Sequence, residues 1–131
     1  MKNIELCNDL PYQEFIVKML EADVLLTDSG GLQEEGVTLH KPVLIMRDVT
    51  ERPEAIEVGA AQLIGTKTTE IIKAVEAFIN NHDLQESMSH TKNPFGDGLA
   101  CQRISSLLIN WSKTGKLSKE SFSPFKDISH A

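Results

Sequence analysis

The sequence predicts an α/β protein with a parallel, Rossmann-like sheet, and three features predict it. Three short aliphatic runs, Val24-Leu25-Leu26-Thr27, Pro42-Val43-Leu44-Ile45-Met46 and Gln62-Leu63-Ile64-Gly65, are continuous rather than alternating in polarity, as strands buried on both faces are. Stretches with apolar residues at helical spacing separate them, so the chain reads as successive strand–helix units. A length of 131 residues with 40% hydrophobic content suits one domain with its own core and is too short for two substantial ones.

The elements follow in order. Asn3-Ile4-Glu5-Leu6-Cys7 is a weakly marked further strand. From Pro11 to Ala22, Tyr12, Phe15, Ile16, Met19 and Leu20 share one face, and Pro11 suits a first helical turn, where no N–H is missed. A helix from Leu32 to Leu39 follows the first aliphatic run, with Leu32, Gly36 and Leu39 toward the sheet, Glu35 at that face's border and Glu34 pointing to solvent. Gly36 in mid-helix costs about 1 kcal/mol relative to Ala, which signals close packing against a strand, or else against a ligand. A short helix starts at Pro53 and stops near Gly59. From Thr69 to Asn80 the stripe is Ile71, Ile72, Val75, Phe78 and Ile79. From Asp97 to Trp111 it is Ala100, Ile104, Leu107, Leu108 and Trp111, with Asp97 a candidate N-cap. These stripes are expected to be core. Residues 1–111 form the expected domain, and 112–131 read as a mobile tail.

Composition excludes several classes. The chain carries 13 Lys+Arg against 19 Asp+Glu, a net charge of -6, and no basic stripe, so nucleic acid is not an expected partner. No apolar run approaches the roughly 20 residues of a spanning helix, and Met1-Lys2-Asn3-Ile4-Glu5 lacks the apolar core of a signal peptide. A soluble cytoplasmic protein without membrane contact is the expectation. Cys7 and Cys101 have neither disulfide-framework nor zinc spacing, and His40, His82, His90 and His130 are scattered, so no metal site and no cofactor are expected.

Loops after parallel strands gather at the sheet edge where open α/β proteins bind ligands. Asp28-Ser29-Gly30-Gly31 directly follows the first aliphatic run and opens a helix. Two glycines permit close backbone approach, and free N–H groups with the helix dipole favour an anion, which makes a phosphate cradle. The alternative is an ordinary tight turn with Ser29 as helix cap. Arg47-Asp48-Val49-Thr50-Glu51-Arg52-Pro53-Glu54 follows the second run to the same edge. Its arginines could fork onto a phosphate or pair on the surface with Asp48 or Glu51. Glu35, a carboxylate beside the crevice, needs a partner that ribose hydroxyls would supply.

Taken with their order, these segments resemble the non-hydrolysing UDP-N-acetylglucosamine 2-epimerases. The likeness lies in Leu26-Thr27-Asp28-Ser29-Gly30-Gly31-Leu32-Gln33-Glu34-Glu35, Lys41-Pro42-Val43-Leu44, the segment Arg47 to Glu54, and Asn93-Pro94-Phe95-Gly96-Asp97-Gly98-Leu99-Ala100, and it runs from about Asp9 through Leu108. The resemblance implies half of a glycosyltransferase-B-like architecture, two Rossmann-like halves with the nucleotide sugar between them. It implies interconversion of UDP-N-acetylglucosamine and UDP-N-acetylmannosamine by elimination and re-addition of UDP, so that stabilising departing UDP is part of catalysis. By the resemblance, Phe15 packs near the uracil, although it also fits its helix's apolar stripe. Ser29, Gly30 and Gly31 hold phosphate, Glu35 grips the ribose, and Arg52 faces the diphosphate and sugar. UDP or a UDP-N-acetylhexosamine is the implied ligand.

No catalytic acid or base is expected in this chain, since the family's lie in sequence that precedes the matched segment. The family's N-terminal half and the first strands of this half are expected to be missing. An open sheet edge would then invite pairing with an N-terminal epimerase half or self-association. The sequence departs from the family at His40 in place of a usual Gly, at Gly36-Val37 where Ala-Pro is common, and at Val49 in place of a common Thr. Two other readings remain at this level: a non-catalytic nucleotide-binding or interaction module, and part of a glycosyltransferase or hydrolysing epimerase. The unbroken Asp48 to Glu54 segment argues against the last of these.

Overall fold

The computed structural model describes residues 3–117, and the chain divides into two compact units, 1–95 and 96–131. The first holds α1 (Tyr12–Glu21), β1 (Leu25–Thr27), α2 (Gly30–Thr38), β2 (Val43–Ile45), α3 (Pro53–Glu57), β3 (Ala61–Leu63), α4 (Thr68–Ile79) and α5 (His82–Ser89). The second holds α6 (Ala100–Thr114). The strands form a parallel sheet in the order β1-β2-β3, with Leu26 opposite Leu44 and Leu44 opposite Gln62. The three strands expected from the aliphatic runs are therefore present, each three residues long.

The unbroken apolarity of β2 has a direct structural cause. Val43 and Ile45 pack with Val37 of α2 and Ala55 of α3 on one face, while Leu44 packs with Phe78 of α4 and Met88 of α5 on the other. Side chains alternate along a strand, so a central strand between two helical layers needs apolar residues at every position. All three are fully buried. Gly36 marks a close approach of helix and sheet: a Cβ built there would lie 2.6 Å from Leu25 Cδ1 and 2.8 Å from Val43 Cγ2. Strand packing, rather than a ligand, accounts for this glycine.

Two helix ends explain how short loops return the chain to the sheet. His40 is left-handed (φ 56°), its N–H donates to Val37 O, and the Lys41 N–H reaches back to Gly36 O. This is the cap expected where the family uses Gly. Gly59 (φ 80°) closes α3 in the same way, with bonds to Ile56 O and from Ala60 to Ala55 O.

Several expectations need correction. Residues 3–10 form no strand and are mostly exposed, because the five-residue stretch Asn3 to Cys7 has no neighbouring strand to pair with among the described residues. Pro11 precedes α1 as its cap residue rather than occupying the first turn. Of the expected α1 stripe, Met19 is buried and Phe15 and Ile16 are half-buried, while Tyr12 and Leu20 are exposed. In α4, Ile72 and Ile79 lie off the face formed by Ile71, Ala74, Val75 and Phe78. The α6 stripe is not core: none of its residues is buried, and Ile104, Leu108 and Trp111 are more than half exposed. Asp97 does not cap α6 from the N-cap position, which Leu99 holds; its carboxylate accepts the Leu99 N–H and pairs with Arg103. Helix α5 was not anticipated, since only Leu84 and Met88 mark its inner face, but Asn81 caps it by accepting the Leu84 N–H at 3.1 Å. Helix α6 runs to Thr114, inside the stretch expected as tail from 112, and residues 118–131 lie outside the described residues.

Candidate functional site

The first candidate loop begins where β1 ends. Thr27 is buried, and its Oγ1 accepts the Ser29 N–H at 3.0 Å, which turns the chain sharply out of the strand. Ser29 is extended and caps α2, its Oγ accepting the Leu32 N–H at 3.5 Å. The helix therefore starts at Gly30, two residues before the expected Leu32. Glycine's poor helix propensity placed both glycines in the loop, but the cap decides where a helix begins. The cap leaves the first N–H groups of the helix open. The serine satisfies Leu32, whereas the Gly30 and Gly31 N–H groups find no acceptor among the described residues.

The second loop folds over this entrance. Glu51 lies against Gly30, its Oε1 3.0 Å from where a Cβ would stand, and its other oxygen accepts from Arg47 Nη1 at 2.8 Å. The Glu51 carboxyl is held below the usual carboxylate range by its own backbone N–H, then by the Arg47 hydrogen bond and charge. A carboxylate thus sits at the positive end of α2, where the dipole and free N–H groups favour an anion. Its side chain is 56% exposed, so it flanks the entrance without plugging it.

Arg52 reaches the same place by another route. Its Nε donates to Glu34 Oε1, and its guanidinium is raised above its ordinary pKa by that hydrogen bond and then by the Glu34 charge. Glu34 is therefore not merely a solvated first-turn charge, as the helical wheel suggested; it holds the loop's arginine. Of the surface pairings considered from sequence, Glu51 is taken by Arg47, while Arg52 pairs with the Glu34 carboxylate and donates from Nη1 to the Glu51 carbonyl at 3.1 Å.

The inner face of α2 is rotated from its expected phase: Gln33, Gly36 and Val37 are buried, and Leu32 and Leu39 are half-buried. Few apolar residues on a nine-residue helix leave its phase poorly marked, and the fit of Gly36 into the sheet fixes it. Gln33 was missed for this reason. It is completely buried, and its Oε1 accepts from Thr50 Oγ1 at 2.5 Å. A polar side chain two places from a double glycine is a signal that could have found it.

Glu35 is half-buried, with Oε2 fully enclosed and bonded to nothing among the described residues. It lines a cleft of about 340 Å³ between α1 and α2 with Tyr12, Ile16, Glu34, Thr38 and Phe95. Phe15, one position from Ile16, lines a neighbouring cleft of about 230 Å³ with Met19, Leu26, Thr27 and Leu32. The structure thus gathers Ser29, Gly30, Gly31 and Arg52 at the entrance of α2. It sets Glu35 in the cleft between α1 and α2, and Phe15 in a separate cleft lined by α1, β1 and Leu32.

Fold and site together define a class: a Rossmann-like α/β unit that presents a glycine-rich helix entrance and two arginines at the carboxyl edge of its sheet. The profile of the UDP-N-acetylglucosamine 2-epimerase family matches residues 1–109, and the chain belongs to that family. It is 47% identical over 109 residues to the UDP-N-acetylglucosamine 2-epimerase of Campylobacter jejuni, a match over 83% of this chain and 28% of the relative. The Escherichia coli K12 enzyme is 44% identical over 110 residues, covering 84% of this chain and 29% of its own length. Among solved structures, the S. aureus MnaA–UDP co-structure superposes with a TM-score of 0.81 at 38% identity, over 91% of this chain and 32% of that one. The Neisseria meningitidis UDP-GlcNAc 2-epimerase bound to UDP-GlcNAc gives 0.75 at 39% identity, over 82% and 30%. The chain spans about 30% of the length of these relatives. No helix of the described residues is long and apolar enough to cross a membrane.

Proposed function

We propose that this chain is the nucleotide-holding portion of a UDP-N-acetylglucosamine 2-epimerase, binding the UDP moiety of a UDP-N-acetylhexosamine. The observation that carries this reading is the Glu35 carboxylate. One of its oxygens is enclosed without a partner among the described residues, a costly arrangement unless a ligand's hydroxyls complete it. Ribose hydroxyls fit, because the Gly30 and Gly31 N–H groups that would take the attached phosphates begin the same helix.

Each residue then has a role its position supports. Phe15 gives the uracil an aromatic wall, and Glu35 grips the ribose. Ser29 holds the helix start open with Gly30 and Gly31 on the phosphates, and Arg52 exchanges Glu34 for the diphosphate. Positive groups fixed there stabilise the charge that grows on UDP as the C2 inversion passes through elimination. The acid and base at C2 are assigned to the part of the family that this chain does not match, with an N-terminal epimerase half as the partner. The cytoplasm, where nucleotide sugars are made, is the assigned compartment.

The test is calorimetric titration of UDP and UMP into the 131-residue chain, with S29A and E35A as controls. Saturable UDP binding weakened by both substitutions is expected, and no binding by the parent chain overturns the nucleotide reading. Mixing with the N-terminal half of a relative should restore C2 inversion or glycal release. A mixture that binds UDP and stays silent overturns the epimerase assignment alone.

A further inference from the structure

The geometry points to Gln33 as a positioning residue that, through Thr50, holds the arginine-bearing loop over the α2 entrance while Arg52 changes partner; this rests on the nucleotide reading above. Gln33 is a fully buried primary amide on the inner face of α2, a placement that costs free energy unless its hydrogen bonds are made. Among the described residues only one is made: Oε1 accepts from Thr50 Oγ1 at 2.5 Å, and Nε2 is enclosed without a partner. A side chain that bears that cost for a single bond does so where an apolar residue could have packed. The same Thr50 hydroxyl accepts the Arg52 N–H at 3.1 Å. One relay thus runs from the helix interior through Thr50 to the backbone of Arg52.

The relay's importance lies in what happens to the other tie. The loop also meets α2 through Arg52 and Glu34, whose side chains are 36% and 41% exposed. For the Arg52 guanidinium to turn its Nε edge to a diphosphate, that pair must open, since Glu34 holds Nε. The Gln33–Thr50 bond involves neither charged group, so it persists through the exchange. It keeps the Arg52 backbone tied to α2 through Thr50 while the side chain swings. Without it, ordering the loop would fall to the ligand, and affinity would drop by that entropic cost.

The experiment compares Gln33→Met, Thr50→Val and Thr50→Ser in the full chain. UDP should bind about tenfold more weakly to Q33M and T50V, in keeping with one lost hydrogen bond, while UMP changes less, so that the UDP-over-UMP preference collapses. Thr50→Ser keeps the hydroxyl and should retain the preference. A merely structural role would lower UDP and UMP affinity in parallel, or lower only the melting temperature, and either result overturns the assignment. A second readout needs no nucleotide: amide exchange at Arg52 should accelerate in Q33M and T50V and stay slow in T50S. If the parent chain binds no UDP, the nucleotide reading fails while the Arg52 amide still decides whether Gln33 positions the loop. Unchanged exchange in Q33M overturns it.

Discussion

Replacing Gly36 by alanine sets a local gain against a tertiary cost, and the structure says which wins. In an isolated helix the change is favourable by about 1 kcal/mol. Here the new Cβ would stand 2.6 Å from Leu25 Cδ1 and 2.8 Å from Val43 Cγ2, against roughly 3.5–4.0 Å for comfortable carbon contact. Leu25 is on an edge strand and only half-buried, so its methyl can rotate away. Val43 cannot: it is β-branched, fully buried, and lies on the central strand between two helical layers. Helix α2 must therefore lift off the sheet, and overpacking of this kind costs about 1–3 kcal/mol. The upper part of that range fits a contact with so little give, which leaves G36A less stable by about 1–2 kcal/mol after the helical gain. For a unit of this size, the midpoint should fall by about 5–10 °C in a melt followed by far-UV circular dichroism. The urea midpoint should fall as well, with the slope unchanged. Val43→Ala opens room at the clash, so adding Gly36→Ala to V43A should cost less than it does in the parent. A G36A chain that melts at or above the parent, or strict additivity in the double variant, would refute the packing argument.

Three further outcomes are expected. Glu35→Gln should leave the melting temperature unchanged or raised, because the enclosed oxygen has no protein partner to lose, while weakening UDP about tenfold or more and erasing any preference for UDP over 2′-deoxy-UDP; a retained ribose preference would sink the role of Glu35. Glu51→Gln removes the carboxylate beside Gly30 and should tighten UDP several-fold at low salt, an effect that shrinks as salt rises; equal or weaker binding on titration would show that Glu51 helps the ligand rather than opposing it. In the second unit, the Asp97 carboxyl is held well below the carboxylate range, first by its hydrogen bond from Arg103 and then by the Leu99 N–H. A depressed carboxyl stabilises the fold above its unfolded value, near 3.9, and that support is lost as pH falls toward the folded value. Amide shifts at the start of α6 should therefore hold steady at neutral pH and change below about pH 4, whereas Asp97→Asn should abolish the acid transition.

Much of the fold was legible because it depends on local pattern. An unbroken aliphatic run such as Val43-Leu44-Ile45 has few uses other than a strand covered on both sides, and Ser29-Gly30-Gly31 after such a run marks a helix entrance at the ligand edge. The ends of α2 and α3 were legible for a similar reason, since a left-handed residue before a short loop leaves a mark in His40 and Gly59. Other features left no such mark. Residues 3–7 have strand-like composition but no partner strand, and the α6 stripe has helical period but no buried face, because periodicity records amphipathicity and not what covers it.

The sequence by itself determined the three parallel strands, the helices between them and the helix entrance after β1, since each follows from residue types at short spacing, and it determined the family through the order of its motifs. Tertiary structure alone decided which carboxylate meets which arginine, that Gln33 rather than Leu32 turns inward, and that one Glu35 oxygen is enclosed without a partner. The physical reason is one of range. Strand, cap and turn preferences act within a few residues, whereas the Gln33–Thr50 bond and the Glu34–Arg52 pair join positions 17 and 18 apart, which come together only after Gly36 has seated α2 on the sheet.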